Sequence, residues 1–294
     1  MFVLYWSIIQ PNMKLLISLL LSACVGFTYA QKIDQKMLIV DLNADKGVVT
    51  DGDLVEQWKN QISSFVVKDF SRRDEGRSVP GSGRPRLVKN VDALKGHGTL
   101  VFNKQELVNM DEDAFDHLVT GSGYTWFSIL KAGKQSGELP NVNCFFGNLR
   151  NQPNNEGMWG GFNDDNSFWM SSRNAITFGR WDQNNPYVTS KEIVSQDRYY
   201  LIMGRMGKGT DTVMLNLYLN DGSKAIASSP FPGNVKANSS RMAIGQERDA
   251  VQHPGRESFV GEMARFLLYD RPLSDAEMAK TAKQLVSYYG IPVR

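Results

Sequence analysis

From Met37 to Asp270 the chain alternates short runs of β-branched, aromatic and aliphatic residues with clusters of Gly, Asn and Asp. That is the pattern of strands separated by tight turns. The runs predict strands at 37–42, 98–102, 124–131, 142–149, 157–162, 167–172, 175–181, 198–206, 211–219, 224–228, 240–245 and 259–269. Alternation is sharpest where Val213, Leu215, Leu217 and Leu219 are interleaved with Thr212, Met214, Asn216 and Tyr218. Successive strand side chains project to opposite faces, so the first set is expected in a core. Asn220-Asp221-Gly222-Ser223 reads as the positive-φ residues of a tight hairpin, with 224–228 returning antiparallel. Sequential hairpins argue against a parallel α/β fold.

Two helices interrupt this pattern. The C-terminal one opens on a capping box, Ser274 with Glu277, places Met278, Ala282, Leu285, Val286 and Tyr289 on one face, and ends at Gly290 with Pro292 beyond. A shorter one is expected over 111–118, with Asp111 as N-cap. Many strands followed by one terminal helix predict an all-β fold, a two-layer antiparallel jelly-roll sandwich with a short C-terminal helix packed on as a clasp.

The first thirty residues follow a different logic. Met13 and Lys14 form a basic n-region, Leu15 to Leu21 an apolar run, and Thr28-Tyr29-Ala30 a small-x-small cleavage pattern. Residues 1–30 are therefore expected to be a signal peptide with its true start at Met13, in the style of a bacterial leader, and 31–294 the exported domain. Leu21-Ser22-Ala23-Cys24 also fits a lipidation box, but the apolar Val25-Gly26-Phe27 after it is unlike a lipoprotein tether. No later apolar run approaches the ~20 residues needed to span a bilayer, so no transmembrane segment is expected. The expected location is secreted, periplasmic or cell-surface.

Once the leader is removed, Cys144 is the one remaining cysteine. An internal disulfide framework is thereby excluded, and within Val142-Asn143-Cys144-Phe145-Phe146 the residue reads as a small buried hydrophobe. A formal charge of +2 on 294 residues gives no ground for a nucleic-acid partner. The absence of a Pro/Ser-rich linker favours one domain over two.

The segment from Phe259-Val260-Gly261 through Phe266-Leu267-Leu268-Tyr269 to Leu273-Ser274 resembles the closing strand and clasp of laminin G-like jelly rolls in the concanavalin A-like lectin/glucanase superfamily. Val40-Asp41-Leu42-Asn43-Ala44-Asp45 with Val55 and Trp58, Arg84-Pro85-Arg86-Leu87, and Leu94-x-Gly96-His97-x-x-Leu100-x-Phe102 are similar to bacterial members. The resemblance implies one domain throughout the mature chain. Relatives often carry acidic residues in the middle of the closing strand, where this chain has Ala264 and Arg265, and in some glucanase relatives an Asp near there helps to hold calcium. No cofactor is therefore expected; calcium is the alternative, and the closing strand does not support it. The superfamily includes lectins, hydrolases, lyases and protein-binding modules, so the fold does not choose among them.

Candidate chemistry is sparse. Asp111, Asp113 and Asp116 reproduce the carboxylate spacing of jelly-roll glucanases, but in a helix start acidic residues cap amides and offset the macrodipole. No catalytic residue is assigned. The densest mixture of aromatic and amide groups lies between Asn151 and Tyr187. Sugars present an apolar ring face and a rim of hydroxyls, so they call for an aromatic platform beside paired hydrogen-bonding groups. The expected glycan contacts are Trp159, Asn163, Asp164, Asp165, Trp169, Arg173 and Trp181, joined by Glu247, Arg248 and His253 from the polar excursion 246–257. Arg72, Arg73, Arg77, Arg84 and Arg86 form a cationic stretch suited to carboxylates or sulfates, diluted by Asp69, Asp74 and Glu75. The expectation is a non-catalytic, lectin-like protein that recognises a polysaccharide. A lyase or glycoside hydrolase of the same fold and a cell-surface protein-interaction module are the alternatives.

Overall fold

The computed structural model describes residues 33–66, 68–73, 83–136, 139–149, 157–173, 187–233, 237, 240–247 and 255–293. The chain divides into two units, Met1–Ile33 and Asp34–Arg294. The leader, Cys24 and the strand expected at 175–181 lie outside the described residues.

The first strands in chain order are β1 (Leu38–Asn43), β2 (Val48–Asp51), β3 (Leu54–Lys59), β4 (Asp69–Arg72), β5 (Arg86–Val91) and β6 (His97–Asn103). They are followed by β7 (Leu107–Val108), β8 (Tyr124–Ala132), β9 (Asn143–Gly147), β10 (Gly157–Phe162), β11 (Ser167–Arg173) and β12 (Tyr187–Ile193). Then come β13 (Tyr200–Met206), β14 (Thr212–Leu219), β15 (Ala227–Pro232), β16 (Ala243–Ile244), β17 (Val260–Tyr269) and the helix α1 (Asp275–Tyr289).

All pairings between these strands are antiparallel, in two layers. One layer runs β15-β14-β13-β8-β17, with β1 and β6 sharing the far side of β17. The other runs β4-β7-β16-β9-β10-β11-β12. Along one side the layers are joined through β3, which pairs with β2, β4 and, at Leu54 opposite Arg86, β5. On the other side β12 and β15 are the outer strands, paired among the described residues with β11 and β14 respectively.

The inward faces meet in one aromatic-rich core. Phe146 of one layer lies 5.1 Å from Phe266 and 5.2 Å from Trp126 of the other, and Phe162 stacks on Phe259 at 5.8 Å. Val213, Leu215, Leu217 and Leu219 are buried as the alternation predicts. Tyr218, on the opposite face, is buried beneath the Arg205 guanidinium, 5.6 Å from its ring centre.

The closing strand and clasp form as expected. Gly261 (φ +156) leaves room for the Lys131 carbonyl, which would lie 2.3 Å from a Cβ there. The Ser274 hydroxyl accepts from the Glu277 amide while the Glu277 carboxylate accepts from the Ser274 amide, and Gly290 ends the helix at φ +71. Two hydrogen bonds from the Arg271 guanidinium, together with the Ser274 amide, hold the Glu277 carboxyl at about 2.

Several expectations are corrected. The helix expected over 111–118 is displaced: at 109–113 side chains close turns on the backbone amides, Asn109 accepting from the Asp111 amide and Asp111 from that of Asp113, and the helical residues run instead from 116 to 122, ending in a kinked π-helix over Leu118–Ser122. The return strand after the Asn220 turn begins at Ala227 rather than 224. Asn220 takes the positive φ (+57), whereas Gly222 serves close packing: a Cβ there would lie 2.4 Å from the Met278 carbonyl oxygen of α1. Strands β2, β3, β4, β5, β7 and β12 were not expected; most are short or carry mixed polar faces that weaken the alternation.

Candidate functional site

Asn163, Asp164 and Asp165 sit in the turn between β10 and β11, with Asp164 and Asp165 exposed. The Asn163 amide group donates to the Ser167 hydroxyl (2.8 Å), and Asp165 accepts from the Ser167 amide (2.8 Å) and hydroxyl (2.6 Å). Those two bonds hold the Asp165 carboxyl below the usual carboxylate range. Asp164 accepts from the Asn141 amide (3.1 Å) and from the Asn143 side chain (3.0 Å), tying the turn to the start of β9. This is the local bonding that Asn and Asp favour in turns.

Trp159 and Trp169 do not form an exposed platform. Facing each other across β10 and β11, their rings lie 6.2 Å apart and nearly perpendicular, and both are buried, at 1% and 0% exposure. Together with Val142, Cys144 and Leu149 they make a small cluster separate from the main core. Two glycines seat them: a Cβ on Gly161 would meet the Trp169 ring at 2.5 Å, and one on Gly147 would meet Trp159 Cβ at 2.8 Å. The same Gly147 lies against the Glu247 carbonyl, so the structure does bring Trp159 and Glu247 to one place. Glu247 is nevertheless buried, with its carbonyl accepting from the Leu149 amide. Cys144 is buried as a small core residue. The backbone of Arg173 ends β11 opposite Gly157; its side chain, Trp181, Arg248 and His253 lie outside the described residues.

Of the cationic stretch, Arg77 lies outside the described residues with Asp74 and Glu75, and three of the described arginines are met by carboxylates. Arg72 and Arg84 converge on Glu56, and Arg86 pairs with Asp53 at 2.6 Å. Two histidines are likewise engaged: His97 meets Asp45 at 2.7 Å and stacks on Tyr288 at 4.1 Å, and His117 meets Asp270 at 3.0 Å. At the closing strand Arg265 forms a two-point contact with Asp41 (2.7 and 2.8 Å). Burial pushes the Asp41 carboxyl up, and the guanidinium partly offsets that. Among the described residues no three His, Cys, Asp or Glu side chains gather as a metal cage.

A cleft of about 570 Å³ lies instead between β12 and β15. It is lined by Val188, Ile226 and Ala227 and by the polar residues Tyr187, Thr189, Lys191, Glu192, Ser228 and Ser229. Tyr187 is 42% exposed. Tyr187, Thr189, Lys191 and Ile193 are exposed at every second position of β12, while Val188 and Ser190 are buried. The Ser228 hydroxyl is oriented by donation to Asn216 Oδ1 at 2.8 Å. Thus an aromatic ring, hydroxyls and one pair of opposite charges meet at the open side of the sandwich. The alternation in Tyr187–Ile193 was the one signal that could have revealed it; the cleft needs β15, which is distant in sequence.

The architecture is that of a two-layer jelly roll of the concanavalin A-like class. Residues 141–279 match a laminin G family model described as the concanavalin A-like lectin/glucanases superfamily. That span holds β9 to β17 and the start of α1, including both edges of the cleft. Among solved structures, the CBM40 of Ruminococcus gnavus IT-sialidase bound to alpha2,3 sialyllactose is 14% identical, covering 56% of this chain and 85% of that one (TM-score 0.41). The Trypanosoma rangeli sialidase in complex with 2,3-difluorosialic acid is 13% identical over 87% of this chain and 34% of that one (TM-score 0.46). The binding domain of Botulinum Neurotoxin DC in complex with SialylT is 10% identical over 85% and 52% (TM-score 0.47). No curated protein sequence matches the chain. Among the described residues no helix is long and apolar enough to cross a membrane.

Proposed function

We propose that this chain is an exported glycan-binding protein that holds a saccharide in the β12–β15 cleft without converting it. The observation carrying this reading is that the partly exposed Tyr187 lines one cleft together with Thr189, Ser228 and Ser229. An aromatic face covers the apolar side of a sugar ring, and hydroxyls satisfy its rim. The export part of the reading comes from the leader pattern in residues 13–30.

The test is retention on a panel of neutral and acidic polysaccharides, with product analysis of the same samples. Retention without new ends, weakened at least about tenfold by Tyr187→Ala, which corresponds to ~1.4 kcal/mol, supports the reading. New reducing or unsaturated ends would point to a hydrolase or lyase, and no retention on any glycan would leave the protein-interaction module as the better account.

A further inference from the structure

The formal charges of the cleft lining balance. Lys191 and Glu192 are consecutive residues of β12, both line the cleft, and β15 adds no charged residue to it. An ammonium and a carboxylate side by side act on an anion with opposite sign, so a charged ligand gains little from the pair. No arginine lines the cleft, and the guanidinium is the side chain that forks onto a carboxylate or sulfate. Elsewhere Arg72 and Arg84 already lie on Glu56, Arg86 on Asp53, Arg205 on Asp275, Arg265 on Asp41 and Arg271 on Glu277.

The hydroxyl groups of the lining residues add a direction. A serine or threonine hydroxyl has one hydrogen and two lone pairs. Ser228 Oγ gives its hydrogen to Asn216 Oδ1 at 2.8 Å. Thr189 Oγ1 faces the Phe168 and Ser190 carbonyls at 3.5 and 3.4 Å, and Ser229 Oγ the Pro230 carbonyl at 3.4 Å. Carbonyls only accept, so the hydroxyl is the donor in each contact, and the short Ser228 bond is the firmest of them. What these groups keep for a ligand is lone pairs, which are complementary to O–H donors. A carboxylate or sulfate brings acceptor oxygens alone, whereas every hydroxyl of a neutral sugar can donate. We infer, resting on the glycan-binding reading, that the ligand is a neutral oligosaccharide held chiefly as a hydrogen-bond donor.

Titration calorimetry on the whole mature protein, at low and high salt, compares neutral cello-, xylo-, manno- and malto-oligosaccharides with three-ring oligogalacturonate and its methyl ester. At least one neutral oligosaccharide is expected to bind, with an affinity that changes less than about twofold between the two salt concentrations, because no net charge is paired. The acid is expected to bind no more tightly than its ester. Ser228 is exposed, so Ser228→Ala should fold with an unchanged unfolding midpoint; it removes an acceptor and should weaken the neutral ligand about fivefold. Ser228→Thr keeps the oxygen and should keep the affinity. Glu192→Gln leaves the lining with the Lys191 charge alone and should create a salt-dependent preference for acid over ester that the parent lacks. Three results overturn the inference while leaving glycan binding intact: binding confined to the acid, an acid preference over the ester of more than about twofold in the parent, or full neutral-sugar affinity in Ser228→Ala. Failure of every saccharide, neutral and acidic, overturns the underlying reading as well.

Discussion

Trp169 separates the two ways a tryptophan serves a jelly roll, as packing or as a sugar platform. Its ring is wholly buried against Trp159, Cys144, Val142 and Leu149, in a seat made by Gly161. An aromatic of this kind removes ~150–250 Å² from water, which at ~25 cal/mol per Å² is about 4–6 kcal/mol as an upper bound. Truncation in a packed site typically costs about 3–5 kcal/mol, including the cavity left behind. Trp169→Ala should therefore remove a large part of a total stability of about 5–15 kcal/mol. In urea titration followed by far-UV circular dichroism, the midpoint should fall by on the order of 1–2 M at an unchanged slope. Tyr187→Ala, at an exposed position, should stay within about 0.5 kcal/mol of the parent. The reasoning is refuted if Trp169→Ala leaves the midpoint in place and instead abolishes glycan retention, since the indole would then be acting on ligand.

Three further outcomes follow from the clasp and the closing strand. Arg265→Leu leaves the buried Asp41 carboxylate without its counter-charge and should cost about 3–5 kcal/mol near neutrality. Burial already sets the Asp41 carboxyl above its ordinary 3.8, and loss of the guanidinium raises it further. The deficit should therefore shrink on acidification, as protonation relieves the buried charge, when unfolding is compared at pH 7 and pH 4. The Glu277 carboxyl is held at about 2 against an ordinary 4.5. Its contribution is complete above 4.5 and disappears as pH falls toward 2. With 36% of the side chain open to water, that contribution is about 1 kcal/mol, and Glu277→Gln should flatten this part of the acid-unfolding curve. Gly222→Ala places a methyl against the Met278 carbonyl; a penalty of about 1–3 kcal/mol, with faster amide exchange in α1, would register the displaced helix.

The clasp was legible because its information is local. Ser274 and Glu277 are three residues apart, the apolar positions recur with the helical turn, and Gly290 supplies the left-handed end. The Val213–Leu219 strand was legible for the same reason: a strict two-residue period with one face apolar. Over 109–113 local chemistry misled, since Asp is at home at a helix start, yet Asn109 and Asp111 close turns instead. Facing direction was the other ambiguity. Composition placed Trp159 and Trp169 among amides, and the strand period only sends neighbours such as Phe168 and Trp169 to opposite faces. Which face a neighbouring segment covers depends on residues far away in the chain, here Val142, Cys144 and Leu149. The cleft has the same origin: Tyr187 and Lys191 stand on the edge of one layer and Ser228 on that of the other. Period and propensity act over a few residues, whereas a cleft arises where two sheet edges distant in sequence meet after the layers have packed.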